Sequence, residues 1–365
     1  MAVNRNILIC PLEWGLGHAA RIIPLALRLK EKGFTIIAGS GEMHLALLRS
    51  EIPGIRCISF PGFRPKYSRS VPQYLFLILQ VPSLIWHSIR EHFRLKRIIS
   101  ENEIDIVISD NRFGLWNKNI VSVYITHQPR IPFPGPFKKL EFVGEWLHRL
   151  IISRYTYCFI PDLPGELNLT GRLAHELRIP ANAMYIGILS RLTGIESRAA
   201  DMPVPAVENT IILSGPEPQK SILKKKLTDF FSKTSENTVV LGGEPGDDSL
   251  NRYSGNIVEF NHLPPESIKE LFLRSRTVIS RSGYTTIMEL VSLGCNAVLI
   301  PTPGQTEQEY LARLLCKKGW FASVSQKEAG VFLPVVPEKS IPYKEINEES
   351  RQLLESALQQ LLQNK

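Results

Sequence analysis

Short unbroken apolar runs alternate along the chain with longer stretches in which apolar positions recur every three or four residues. The short run is the mark of a strand buried on both faces, and the longer period is that of a helix laid against it. Candidate strands cover 7–10, 34–38, 55–59, 104–109, 121–126 and 157–160 in the first half, and 210–214, 238–241, 256–260, 277–280 and 297–300 in the second. Strand and helix in such alternation predict parallel sheets wound by crossover helices. A polar, proline-bearing passage at 201–209 separates the two series. The expected fold class is therefore α/β, as two tandem Rossmann-like doubly wound domains facing across a cleft, with ligands on the loops at the carboxyl ends of the strands. The expected boundaries are a first domain over 1–190, a linker over 191–208 and a second domain over 209–343. The remainder, 344–365, reads as an amphipathic helix with leucines at 353, 354, 358, 361 and 362.

Length and composition agree with that layout. A chain of 365 residues exceeds the size at which single cores stop growing, and 44% hydrophobic with 21% charged residues is globular composition. Five cysteines at 10, 57, 158, 295 and 316 show no metal-ligand spacing, and they read as small buried hydrophobes in a reducing compartment. The amino-terminal residues lack the pattern of a secretory signal, so the expected location is the cytoplasm.

Charge changes the picture in one place. The net charge is +8, and the window 64–154 holds 14 basic against 7 acidic residues, an excess of +7. Such a face attracts phosphate, whether of nucleic acid or of anionic lipid, although a solvated basic surface is the plain alternative. Within the window, 71–86 is the most apolar stretch, yet its 16 residues include two glutamines and two prolines, too short and too interrupted to span a bilayer. With Arg90, Arg94, Lys96 and Arg97 behind it, the segment fits a helix lying on an anionic membrane surface, and it equally fits a buried helix ending in a basic turn.

Candidate chemistry begins after the first strand. Gly15 and Gly17 permit a tight turn into a helix whose amino end favours negative charge, and His18 stands at its first turn. The spacing is a poor dinucleotide fingerprint, because G-x-G-H replaces G-x-G-x-x-G. A neutral imidazole there can take a proton from a hydroxyl, and Asp110, at the carboxyl end of a strand in the same domain, can orient it. A helix-start histidine bonded to backbone and an aspartate N-cap are the bland alternatives. His127 and Arg130 occupy an equivalent rim position and are candidates for the acceptor side, next to the proline-rich loop 131–139. That loop reads as a lid or as an ordinary connection.

In the second half, Arg281, Ser282 and Gly283 follow a strand and open a helix whose N–H groups can hold a diphosphate. Thr285 lies in its first turn, and Glu289, less than two turns from Gly283, can reach the two hydroxyls of a ribose. Gly215, after the domain's first strand, lies on another phosphate-facing loop, and Gln308 lies in the loop after 297–300.

The stretch 280–310 resembles the donor-binding signature of glycosyltransferase family 28. Arg281, Ser282, Gly283, Glu289, Gly294, Pro301 and Gln308 fall in register with it, and Glu309 stands where the family has a second glutamine. The loop from Gly15 to His18 is similar to the family's glycine-rich amino-terminal loop, and across the wider superfamily a histidine there, paired with an aspartate, acts as base. The resemblance implies the two-Rossmann GT-B architecture and an inverting transfer from a UDP-sugar, UDP-N-acetylglucosamine first, held by the carboxyl-terminal domain. It implies no cofactor and no bound metal, and Asp247 with Asp248, the one acidic pair of chelating type, reads as a surface turn. The charge and the 71–86 segment suggest a lipid-linked or glycan acceptor and peripheral contact with the inner membrane face. Nucleic acid is not expected, since no recognised nucleic-acid module is present. A UDP-sugar epimerase of the same architecture and a non-catalytic nucleotide-sugar binder are the competing functions.

Overall fold

The computed structural model describes residues 5–65, 79–130, 141–176, 179–196, 207–243 and 252–363. The chain divides into two compact units, one of Met1–Leu189 with Glu345–Lys365 and one of Ser190–Lys344.

The first unit carries strands β1 (Asn6–Cys10), β2 (Thr35–Ser40), β3 (Arg56–Ser59), β4 (Ile104–Asp110), β5 (Val121–Ile125), β6 (Tyr157–Ile160) and β7 (Ala183–Tyr185). They form one sheet in the order β3-β2-β1-β4-β5-β6-β7, with every pairing parallel. Helices α1 (Leu16–Glu31), α2 (Glu42–Glu51), α3 (Val81–Asn102) and α4 (Glu141–Ile152) are the crossovers. Ile7, Leu8, Ile9, Val107 and Ile108 are buried, as a strand covered on both faces requires. Helix α1 supplies its cover through Ala19, Ile22, Ile23, Ala26 and Leu29, a stripe at helical spacing.

The second unit repeats the plan with β8 (Asn209–Ile212), β9 (Thr238–Leu241), β10 (Arg252–Ser254), β11 (Ile257–Phe260), β12 (Thr277–Ser280), β13 (Ala297–Leu299) and β14 (Ala322–Ser323). Their order is β10-β11-β9-β8-β12-β13-β14, and only the β10–β11 pairing is antiparallel. Helices α5 (Gln219–Phe231), α6 (Pro265–Arg274), α7 (Tyr284–Leu293) and α8 (Thr306–Lys317) connect them. Ile211, Val240, Ile279 and Val298 meet Leu223, Leu227 and Phe231 of α5 in the core.

Both sheets reverse their winding beside their first strand, between β1 and β4 in one unit and between β8 and β12 in the other. At such a reversal the connections leave in opposite directions and open a crevice at the carboxyl ends. The α/β class with two doubly wound sheets is thus observed. Strands β7, β10 and β14 were not read from the sequence, because two or three residues are too few to display a period.

The last helix, α9 (Tyr343–Gln363), folds with the first unit rather than standing apart. Ile346, Ala357, Leu358 and Leu361 are buried, whereas Leu362 points outward. Ile188 N–H donates to Ser350 Oγ at 3.0 Å, and Lys32 pairs with Glu355 at 2.7 Å. Residues 66–78, 131–140 and 197–206 lie outside the described residues, and with them the first half of the apolar segment, the proline-rich loop and the middle of the expected linker.

Gly187 has φ +73°, and a Cβ there would sit 2.2 Å from Ser350 Cα. Substitution Gly187→Ala therefore collides with backbone and strains its own, so a loss of about 3 kcal/mol or more is expected in urea unfolding, with α9 newly open to protease. A change within about 0.5 kcal/mol would show that α9 does not dock this way.

Candidate active site

The first unit's reversal point is built around a sharp glycine turn. Gly15 has φ +111°, a backbone that side chains rarely adopt, and it turns the chain from β1 into α1. The turn is braced from behind. Glu13, 8% exposed, accepts Gly41 N–H and Gly62 N–H, each at 2.8 Å, and pairs with Arg64. His44 Nε2–H donates to Gly15 O at 3.1 Å, and burial holds the His44 pKa down at about 4, so the ring stays neutral.

His18 occupies the first turn of α1, with its side chain 16% exposed, and its Nδ1 lies 3.0 Å from Oδ2 of the fully buried Asp110. Asp110 ends β4, the neighbour of β1 across the reversal. A third residue completes the cluster. Arg21, 2% exposed, donates through Nε to Asp110 Oδ2 at 2.9 Å and through Nη2 to Oδ1. Its Nη1 donates to His127 Nδ1 at 3.0 Å, and its Nη2 lies 2.7 Å from His18 Nδ1.

The chemistry follows from this crowding. Burial pushes the Asp110 carboxyl up, but the Arg21 cation and His18 outweigh it and hold the pKa at about 2. For His18, burial and then the Arg21 cation drive the pKa below the usual imidazole value, against the pull of Asp110. The ring is therefore neutral at pH 7. Nδ1 faces both the Asp110 acceptor and the Arg21 Nη2 donor, and the tautomer whose Nδ1–H donates to Asp110 is the one that leaves the Nε2 lone pair to accept a proton, as a general base must.

The structure thus brings His18, Asp110 and His127 together, but it turns Arg130 elsewhere. Arg130 donates to Glu145 at 3.3 Å and to Glu176 O at 3.2 Å, bracing the loop it stands on. Arg21 escaped the sequence reading although it lies one helical turn past His18, on the same face. That spacing was the available signal.

In the second unit the reversal point gathers three loops. Gly215, φ +97°, follows β8, and Gly283 caps the amino end of α7 with open space where a side chain would stand. Thr302, 2% exposed, carries a buried Oγ1 without a hydrogen-bond partner among the described residues, 3.6 Å from the place of a Gly215 Cβ. Buried hydroxyls are ordinarily bonded, so an unmatched one at the Gly215 turn has a proton to offer to an acceptor. Thr285 stands half-buried on the first turn of α7. Glu289, 6% exposed, accepts a hydrogen bond from Arg191 Nε at 2.9 Å.

Three side chains expected at the donor, Arg281, Ser282 and Gln308, bond to the scaffold. Arg281 is fully buried and donates to Ile300 O at 3.2 Å, Gln219 O at 2.8 Å and Gln326 Oε1 at 2.5 Å, with burial lowering its pKa to about 10. Gln308 accepts Thr302 N–H at 2.8 Å and donates to Gln305 at 2.6 Å, while Ser282 Oγ donates to Gln308 O at 2.8 Å. Glu309 accepts Gly304 N–H at 3.1 Å. These groups shape the loops from inside, because loop carbonyls that cross in the interior need donors.

Among the described residues no group of three or more His, Cys, Asp or Glu is placed to hold a metal, and Asp247 with Asp248 lie outside them. No helix among those residues is long and apolar enough to cross a membrane. Two helices of the first unit nevertheless present apolar faces outward, with Ile85, Trp86, Ile89 and Phe93 exposed on α3 and Phe142, Trp146 and Leu147 on α4. On its described part, the 71–86 segment is thus not a core helix.

Residues 241–360 match the glycosyltransferase family 28 C-terminal domain. The chain is 22% identical over 306 residues to a UDP-N-acetylglucosamine–N-acetylmuramyl-(pentapeptide) pyrophosphoryl-undecaprenol N-acetylglucosamine transferase of Trichodesmium erythraeum (strain IMS101), covering 82% of this chain and 74% of the relative. Among solved structures it resembles the spinosyn rhamnosyltransferase SpnG, with TM-score 0.63 at 16% identity over 98% of this chain and 100% of that one. SpnG has also been solved with thymidine diphosphate, and that structure gives TM-score 0.60 at 14% identity, covering 99% and 100% of the two chains. The glycosyltransferase SnogD from Streptomyces nogalater gives TM-score 0.60 at 15% identity, covering 96% and 95%.

The buried histidines make folding sensitive to mild acid. His44 and His148 are both held at about 4 by burial, so the unfolded chain binds more protons than the folded one between pH 6.5 and 4. Stability is complete above that window and falls as the pH drops through it, by about 3 kcal/mol per histidine at most. Carboxylates such as Asp110, with lowered values, add their loss only at lower pH. Urea midpoints measured from pH 7 to 4 should decline, and His44→Gln should flatten the decline.

Proposed function

We propose that this chain, a glycosyltransferase of the family 28 type with the two-Rossmann GT-B architecture, transfers a sugar from a UDP-sugar to a hydroxyl of a lipid-linked or membrane-surface acceptor, inverting the anomeric carbon. The observation that carries the mechanism is the buried Asp110 holding the Nδ1 edge of His18 at the first unit's reversal point, where Nε2 is left as base. His18 Nε2 takes the proton of the acceptor hydroxyl as its oxygen bonds to the anomeric carbon and the bond from that carbon to the diphosphate oxygen breaks. Asp110 stabilises the imidazolium so formed, and Arg21 holds Asp110 in place. The electron pair leaves with the nucleoside diphosphate, where the amino end of α7, the Gly215 turn and Thr302 Oγ1 offer positive potential and donors. This set of dipoles and donors can carry the leaving-group charge without a metal.

The donor class is supported by two names: the Trichodesmium relative is named for UDP-N-acetylglucosamine, and SpnG was crystallised with a nucleoside diphosphate. Glu289, on the helix that opens at Gly283, is the group for the ribose hydroxyls. The acceptor class is supported by the exposed aromatic and aliphatic residues of α3 and α4, with Arg90 stacked over Trp86 and Arg154 over Trp116. Apolar side chains mixed with cations suit the interface of an anionic bilayer.

Thermal unfolding with a panel of nucleotides tests the donor site. UDP and one UDP-sugar should raise the melting temperature, by about 2.7 kcal/mol of added stability at a hundredfold excess over Kd, and Glu289→Ala should cut the added stability to about half at the same ligand concentration, as a tenfold weaker Kd requires. Once a transfer assay is in hand, His18→Ala should cost about 10²- to 10⁴-fold in rate at unchanged donor affinity, and near-normal turnover would remove the base assignment. Sedimentation with anionic vesicles tests the acceptor side. Trp86→Ser with Trp146→Ser should reduce binding at least tenfold, on the scale of about 1.5–3 kcal/mol for each large apolar side chain.

A further inference from the structure

Segment 190–196 was expected to begin a linker, yet it is pinned to the second unit at three places. Ser292 Oγ donates to Ser190 Oγ at 2.8 Å, Lys269 Nζ donates to Ile195 O at 2.6 Å, and Arg191 Nε donates to Glu289 Oε1 at 2.9 Å. The first and third contacts grip α7, and the second grips α6. The Arg191 and Glu289 side chains are 12% and 8% exposed, so this is an ion pair largely withdrawn from water.

We infer that Arg191 is a positioning residue that makes the donor site select a ribonucleotide over a deoxyribonucleotide, by fixing the Glu289 carboxylate for the two ribose hydroxyls. The inference rests on the proposed role of Glu289. Each of two neighbouring hydroxyls donates one hydrogen, and a carboxylate that only accepts can answer both if its plane is held. A glutamate on a helix has free rotations about its terminal bonds. A planar guanidinium donating to one oxygen removes that freedom, and it is itself held because the chain on either side of it is bonded to α7 and α6. A deoxyribose lacks one of the two donors, so a carboxylate fixed in this way would lose a charge-assisted bond when it binds one.

Isothermal titration of UDP and 2′-deoxy-UDP measures the preference directly. The wild-type protein should bind UDP about tenfold or more tighter than 2′-deoxy-UDP. Arg191→Met, which keeps the side-chain stem, should weaken UDP by about that factor and 2′-deoxy-UDP much less, so the ratio contracts to within about threefold. Arg191→Gln serves as a second variant where the first does not melt like the wild type. A purely structural role would weaken both ligands equally and leave the ratio intact. That result, or a rise in UDP affinity from release of a competing arginine, would overturn the inference. Glu289→Ala separates the two levels of the argument. If it collapses the ratio while the Arg191 variants do not, the ribose site stands and the role of Arg191 falls; if it leaves the ratio unchanged, the assignment of Glu289 itself is lost.

Discussion

A carboxylate removed from water needs compensating donors, and Asp110 receives most of its compensation from one side chain, Arg21. Much of the first unit's reversal point depends on that pair. Arg21 projects from the first turns of α1 and Asp110 ends β4, so their fork joins the glycine turn to the neighbouring strand. The same guanidinium reaches His127 beyond β5, drawing three consecutive connections of the sheet to one point. Breaking such a pair on one side leaves a charge stranded in the interior, which makes it a strict geometric constraint. It also places a cation beside His18, which adds to burial in holding that imidazole's pKa down.

The second unit meets the same topological problem with a buried arginine, Arg281, that holds loop carbonyls and a side-chain amide rather than a carboxylate. Its reversal point also presents a helix end, a glycine turn and a hydroxyl unmatched among the described residues, which offer partial positive charge. One reversal point thus holds a buried imidazole–carboxylate–guanidinium cluster, and the other a helix end that favours negative charge. The two sheets use one winding pattern to expose opposite kinds of chemistry.

How much of this could be read from residues alone depends on how local the signal was. The strands of the two parallel sheets show plainly because a doubly covered strand is apolar without interruption, as Ile7 to Cys10 is. Asp110 was visible from its position at a strand end, and His18 from its position at the first turn of the helix that follows the glycine loop. Arg21 was not, because an arginine on a helix is ordinarily a surface residue and its partners lie 89 and 106 positions away. Arg281 and Gln308 carry a structural task that no local pattern announced. Their polar ends suggested ligand contact, whereas the fold spends them on carbonyls and amides where loops cross. The leucine stripe of α9 predicted burial of Leu358 and Leu361 but not the outward turn of Leu362, which depends on how the helix is rotated against a partner distant in the chain.

The return of α9 to the first unit has a consequence in time. The whole second unit lies between Leu189 and Glu345, as an insertion of about 150 residues into the first. At a translation rate of about 5–20 residues per second, the first sheet emerges roughly 8–30 s before the helix that folds back onto its unit. During that interval the surface awaiting Ile346, Leu358 and Leu361 is bare, and the second unit can fold completely. The order of maturation is therefore the reverse of the order of synthesis, with the unit that begins the chain being the last to close.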